Sequence, residues 1–246
     1  MNRQPNSPPT RRSWMQAALA GAAGLLATRP TSAAPLEKGA VVLFQGDSIT
    51  DARRDREQKE ANDPLGFGYG YPLLIASRLL EERAGDGLQF YNRGISGNKV
   101  PDLDARWQDD ALDLQPDLIS ILIGVNDIWH KLNGRYDGTV ERYETGYAAL
   151  LERTRMALPD VRLVVCEPFV LRTGAVDDSW FPEFDERRAA ARRVAEQAGA
   201  TWVPLQETFD AAVERAEPAY WAADGVHPTM AGHALMAQAW IEAVQP

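Results

Sequence analysis

Leu118-Ile119-Ser120-Ile121-Leu122-Ile123 is an almost unbroken apolar run, and it ends at Gly124-Val125-Asn126-Asp127. A strand with one face in water alternates apolar and polar residues. A run that is apolar on both faces belongs inside a sheet covered from both sides. Shorter runs of the same kind lie at 41–44 (Val-Val-Leu-Phe), 88–91, 163–166 and 201–203. Between them the apolar spacing widens to three and four residues. That spacing predicts helices over 71–83, with Leu74, Ile75, Leu79 and Leu80 inward, over 100–112, and over 139–158, with Tyr143, Tyr147, Leu150, Leu151, Thr154 and Leu158 inward. Further helices are predicted over 183–199, closed by Gly199, and over 228–244, with Ala234, Ala237, Ile241 and Val244 inward. Five doubly buried strands alternating with helices predict an α/β fold, a three-layer α/β/α sandwich around a five-stranded parallel sheet. Right-handed crossovers would then bring every strand's C-terminal end to one edge, where ligand sites of such sheets form.

The charge is unevenly distributed. The 246 residues carry 26 basic and 35 acidic side chains, a formal net of -9. Residues 1–34 hold Arg3, Arg11, Arg12 and Arg29 and no acid, so the remainder has 22 basic against 35 acidic residues, a net of -13. Thr10-Arg11-Arg12-Ser13-Trp14 is a twin-arginine pattern, followed by a weakly apolar run at 17–27 and by small residues at Thr31-Ser32-Ala33. This predicts a Tat-type export signal at 1–33, cut after Ala33, with the working domain at 34–246 in the periplasm or outside the cell. The apolar run is shorter than the roughly 20 residues a spanning helix needs, so stable membrane insertion is not expected. The acidic balance argues against nucleic acid as a partner. One cysteine, Cys166, excludes an intrachain disulfide framework, and its apolar surroundings suggest a buried small side chain. The charged, glycine-punctuated stretch 51–70 is expected to be a surface loop, either a lid or a subunit contact, which leaves a homo-oligomer open.

Four short motifs follow predicted strands or precede a predicted helix. Gly46-Asp47-Ser48 would leave a hydroxyl at the end of strand one, although such a tripeptide is also an ordinary helix cap. Asn92-Arg93-Gly94 starts a loop in which glycine permits close backbone approach. Asn126 offers a side-chain amide after the third strand, and it too could be a cap. Asp224-Gly225-Val226-His227 can place a carboxylate on one imidazole nitrogen and leave the other as a base. A metal-ligand role competes there, but three histidines without paired ligand spacing do not favour it. Jointly the motifs supply a nucleophile, a base with its orienting carboxylate, and donors for an oxyanion, which are the parts acyl transfer requires.

Gly46-Asp47-Ser48, Gly94, Asn126 and Asp224 with His227 resemble the four sequence blocks of the SGNH (GDSL) hydrolases, across nearly all of the chain after residue 40. The resemblance implies a flavodoxin-like sheet and a catalytic set of Ser48, His227 and Asp224. It implies an oxyanion hole from the Ser48 and Gly94 N–H groups and the Asn126 amide, with no metal and no organic cofactor. The stretches Gly94-Ile95-Ser96-Gly97-Asn98, Asp102-Leu103-Asp104-Ala105-Arg106-Trp107 and Asn126-Asp127-Ile128-Trp129 are further similar to bacterial SGNH acetylxylan esterases. That likeness implies a small-molecule or oligosaccharide acetyl ester as substrate. A lysophospholipase or thioesterase and a polysaccharide O-acetyltransferase are the competing activities. Trp129, Trp221 and Glu167 lie near the expected site and are candidate substrate contacts, with core burial the competing role for the two tryptophans.

Overall fold

A computed structural model of the protein describes Met1 and residues 35–246. Apart from Met1, the predicted export signal lies outside the described residues. In chain order the elements are β1 (Val41–Gly46), α1 (Ser48–Asp51), α2 (Pro64–Phe67), α3 (Tyr71–Glu82), β2 (Gln89–Asn92), α4 (Val100–Asp110), β3 (Leu118–Leu122) and α5 (Val125–Leu132). They continue as α6 (Val140–Ala157), β4 (Arg162–Cys166), α7 (Glu183–Gln197), β5 (Thr201–Val203), α8 (Leu205–Val213), α9 (Pro218–Trp221) and α10 (Met230–Val244).

The five strands form one parallel sheet in the order β2-β1-β3-β4-β5. This is the flavodoxin-like order, whose switch point lies between β1 and β3. Ser48 follows β1 and Asn126 follows β3, so the chain leaves both strands side by side at that crevice.

The strands' two faces feed two cores. Val42 and Phe44 of β1, Leu118 and Leu122 of β3 and Val164 of β4 pack under α3, α8 and α10. Leu43, Ile119, Ile121, Leu163 and Val165 point the other way, under α4, α6 and α7. Phe44 meets Tyr71 edge-on at 5.9 Å and Trp240 at 5.7 Å, which seats α3 and α10 on β1. Ser120 is the polar interruption in β3, and its hydroxyl accepts from Trp240 Nε1 at 2.9 Å. Cys166 is buried beside it, and burial pushes its thiol up to about 12, as expected of an inert packing residue.

Helix ends follow local chemistry. Thr139 caps α6 rather than opening it, and Thr229 caps α10, which starts at Met230 rather than at 228; their hydroxyls accept from Arg142 N and Gly232 N. The α7 helix ends in a Schellman pair at Gly199, with Ala200 N on Ala195 O and Gly199 N on Glu196 O. Leu74 and Ala234, expected inward, face solvent. Tyr71 on α3, beside the expected Ile75 and Leu79, and Met236 and Trp240 on α10 take the core positions instead.

The stretch 51–70 is tied to the sheet. Asn62 N donates to Phe90 O, Asn62 Oδ1 accepts from Phe90 N, and Asn62 Nδ2 donates to Leu88 O. These bonds cover the free edge of β2, where unpaired strand groups would otherwise be exposed. Among the described residues, no helix is long and apolar enough to cross a membrane.

Candidate active site

Asp47 caps α1 by accepting from Ile49 N at 3.0 Å, which makes Ser48 the first helical residue. The first N–H of a helix has no intrahelical acceptor, so the Ser48 N–H is left for another partner. Across the crevice, Asp224 organises its own turn. Its Oδ1 accepts from Val226 N at 3.0 Å and from His227 N at 2.7 Å, and its Oδ2 lies 2.6 Å from His227 Nδ1. Gly225 closes the turn with φ +84°, and a Cβ there would stand 2.4 Å from Leu171 O.

With Nδ1–H donating to the carboxylate, Nε2 carries the lone pair, and Ser48 Oγ donates to it at 2.8 Å. Burial raises the Asp224 carboxyl, but the bonds from the His227 ring and from two backbone N–H groups outweigh it, leaving its pKa below the usual carboxylate range. An ionised Asp224 holds the imidazole in the tautomer that accepts from serine. A hydroxyl so placed can be deprotonated as it attacks a carbonyl carbon.

The two other expected donors sit in a braced shell. Gly94 packs so closely on α1 that a Cβ would stand 2.4 Å from Asp51 N. Its N–H donates to Asn92 Oδ1 at 2.9 Å, an occupancy that the sequence does not reveal. Asn92 is itself fixed, with Nδ2 donating to Thr50 O and Phe67 O. Asn126 is buried at the start of α5, and one Nδ2–H donates to Asn98 O at 3.2 Å. The second hydrogen of that amide has no acceptor among the described side chains. Asp51 ties the same loops together, its Oδ2 accepting from Ser96 N, Ser96 Oγ and Arg56.

Trp129 lies on α5 three residues after Asn126, and its ring stands 5.9 Å from the His227 ring and 5.7 Å from Trp180. Trp180 is a buried aromatic that nothing in its sequence neighbourhood singles out. The other two candidate contacts are engaged inside the fold. Glu167 accepts from Arg188 Nε at 3.0 Å and Nη2 at 2.9 Å through one oxygen, and from Gln206 N through the other. The long-range partner Arg188 takes the carboxylate that strand position alone would aim at the crevice. Trp221 is buried in the core, with Nε1 donating to Ala216 O and the Arg215 guanidinium over its ring. Among the described residues, no group of three or more His, Cys, Asp or Glu is arranged to hold a metal ion.

Asp47 and Asp127 flank the site in sequence and are fully buried, each with Oδ2 unpartnered. Burial raises each carboxyl to about 7, against the lowering effect of Ile49 N–H on Asp47 and of Arg187 on Asp127. Burial thus favours the protonated form of both far above the usual carboxylate range.

Comparison with known proteins shows the family of the chain. The GDSL-like Lipase/Acylhydrolase family matches residues 44–235. An acetylxylan esterase of Geobacillus stearothermophilus is 32% identical over 212 residues, covering 84% of this chain and 94% of the relative. Two solved catalytic mutants of that esterase, one with a serine and one with a histidine replaced by alanine, each match with a TM-score of 0.76 at 30% identity, covering 86% of this chain and 96% of theirs. A solved Parabacteroides merdae protein, called a GDSL-like lipase, is 52% identical with a TM-score of 0.84, covering 85% of this chain and 97% of its own. With the family spanning most of the chain and an esterase relative at that identity, the chain belongs to the GDSL-like lipase/acylhydrolase (SGNH) family and is a carboxylic ester hydrolase.

Proposed function

We propose that the protein is a serine esterase that removes O-acetyl groups from carbohydrates of the xylan type, through an acetyl-Ser48 intermediate. The observation that carries the reading is the hydrogen-bonded line from Asp224 through His227 to Ser48. The substrate class is supported by likeness to the Geobacillus acetylxylan esterase.

In this mechanism His227 Nε2 takes the Ser48 proton as Oγ attacks the acetyl carbonyl carbon. The carbonyl electrons move to oxygen, which is met by the Ser48 N–H, the unused Asn126 Nδ2–H and the Gly94 N–H. The last is shared, since Asn92 Oδ1 already accepts it. Each such donor is worth about 3 kcal/mol in the transition state. The tetrahedral intermediate collapses, the sugar oxygen leaves with the proton from His227, and the acetyl group remains on Ser48. Water then attacks with His227 again as base, and acetate departs. Asp224 stays ionised throughout, orienting the ring and stabilising the imidazolium. Trp129 supplies a flat apolar wall beside the imidazole for a sugar face or the acetyl methyl.

Ser48→Ala should lower kcat on the order of 10⁶-fold while leaving ligand binding intact. Acetate release from acetylated xylan, pectin, mannan and sialic acid ranks the substrates. Faster hydrolysis of p-nitrophenyl octanoate than of the acetate would overturn the acetyl preference and favour a longer-chain acylhydrolase. The twin-arginine pattern supports Tat export, and the exported protein should then begin at Ala34 on N-terminal sequencing.

A further inference from the structure

The stretch Asp102-Leu103-Asp104-Ala105-Arg106-Trp107 contributes no group to the mechanism above, yet one of its side chains reaches both the end of β1 and the loop between β2 and α4. We infer that Arg106 is a positioning residue for the oxyanion donors, fixing with one guanidinium the loop peptides from which Gly94 and Asn126 take their orientation. The inference rests on the esterase reading of Ser48.

The anchor of this residue is rigid. Leu103 and Trp107 are fully buried, and Trp107 Nε1 donates to Thr154 Oγ1 at 2.9 Å, which fixes the rotation of α4 against α6. Arg106 precedes Trp107, and its side chain is 16% exposed. Asp110, one helical turn on, accepts from Nη1 at 2.9 Å and holds the head group from behind.

The remaining donors point at the site loops. Nη1 also donates to Arg93 O at 2.9 Å. That carbonyl and the Gly94 N–H belong to one planar peptide unit, so a charged donor on the oxygen fixes the plane and polarises the N–H at its other end. Nε donates to Asn98 Oδ1 at 2.8 Å, and the carbonyl of the same Asn98 accepts from Asn126 Nδ2 at 3.2 Å. Nη2 makes a longer contact of 3.4 Å to Gly46 O, two residues before Ser48. One side chain thus lies a single residue away from each of the Gly94 and Asn126 donors. A lysine could not do this. Its ammonium is one point of charge, whereas the guanidinium spreads five N–H groups in a fixed plane.

A residue that merely stabilised these loops would alter Tm and leave the chemistry of the folded fraction unchanged. A positioning residue instead lowers kcat with KM little changed, because oxyanion contacts strengthen only in the transition state. For Arg106→Ala we expect kcat on p-nitrophenyl acetate to fall roughly 30-fold, with KM within about twofold. Guanidinium ion at non-denaturing concentration should restore part of that loss in Arg106→Ala. Arg106→Lys, which keeps the charge beside Asp110, covers the case in which the alanine variant does not fold. It should also lose kcat and should not respond to guanidinium. The bell of kcat against pH should keep its shape in both variants, since neither touches the His227–Asp224 pair. A folded Arg106→Lys with full kcat overturns the inference, as does a loss carried by KM alone. Ser48→Ala assayed in parallel separates the two levels. Activity surviving in Ser48→Ala overturns the esterase reading itself, whereas an inactive Ser48→Ala beside a fully active Arg106→Lys overturns only the role of Arg106.

Discussion

Asp47 adjoins Ser48, is buried without a partner for Oδ2, and is held near a pKa of about 7 by burial. Its unfolded value is the ordinary carboxylate value of 3.8. Between these two values the folded state binds more protons than the unfolded one, so this group's effect on stability declines as pH rises from about 4 to about 7 and is level above that. Asn at this position keeps the acceptor for Ile49 N and removes the charge. Asp47→Asn should therefore gain stability over the wild type as pH rises from 4 to 8, by at most about 4 kcal/mol, read as a growing difference in Tm. A Tm difference independent of pH would show that Asp47 is not held protonated. Asp224 is the contrasting carboxylate, held below its usual range by the His227 ring and two backbone donors. Asp224→Asn should cost on the order of 10⁴-fold in kcat, because an amide at that site favours the wrong imidazole tautomer. Steady-state kinetics at saturating p-nitrophenyl acetate would measure it. Sequence alone points to Ser48, Asp224, His227, Gly94 and Asn126, because each is a short-range signal at a strand end or turn. The engagement of Glu167 is not legible that way, since its partner Arg188 lies 21 residues away and meets it only after α7 packs. The same holds for Arg106, whose distant acceptors come from the end of β1 and from the loop between β2 and α4.

The element that shows the cost of burying charge is α7. Arg187 is fully buried on it, with Nη2 donating to Gly138 O and to Glu183 Oε1 at 2.6 Å. Glu183 also pairs with Lys131 of α5, so this one carboxylate couples α7 to the helix that carries Asn126. Removing it would leave the Arg187 guanidinium buried beside fewer acceptors. Glu183→Ala should cost about 3–5 kcal/mol in urea unfolding, while Glu196→Ala, which breaks the exposed Arg192–Glu196 pair on the same helix, should cost less than about 1 kcal/mol. Equal costs would mean that Arg187 is not held by this pair. At this scale the strands and long helices are readable because continuous apolar runs and three-to-four spacing survive in the bare sequence. The α5 helix reads as a motif, since Asn126-Asp127 draws attention to turn chemistry while Val125, Ile128 and Trp129 carry the helical period. The α8 helix follows Pro204 directly after a three-residue strand and escapes notice, as does α2 inside the charged 51–70 stretch. Short helices hold too few turns for periodicity to emerge. Their stability comes from contacts such as Phe209 stacked on Phe169 at 4.2 Å, which depend on the finished fold.

For the whole molecule, charge is the property that the fold leaves unbalanced. Past residue 34 the chain carries a net of -13, and the parallel sheet's active edge opens into the field of that charge. A neutral acetylated xylo-oligosaccharide is neither steered nor repelled, and the proposed mechanism recruits it only through short-range contacts. An acetylated polyuronide carries a carboxylate on nearly every sugar and would be repelled before reaching Ser48. Salt shortens the reach of such repulsion, from a Debye length of about 30 Å at 0.01 M to about 8 Å at 0.15 M. Hence kcat/KM on acetylated xylo-oligosaccharide should stay within about twofold between roughly 10 and 300 mM salt, while the value on acetylated polygalacturonate should rise severalfold over the same range. The slope is the diagnostic quantity, because preference for one glycan in a single buffer mixes pocket contacts with long-range field. If activity on the polyuronide instead fell with salt, basic groups close to the crevice would dominate the approach. The net charge would then say nothing about substrate choice.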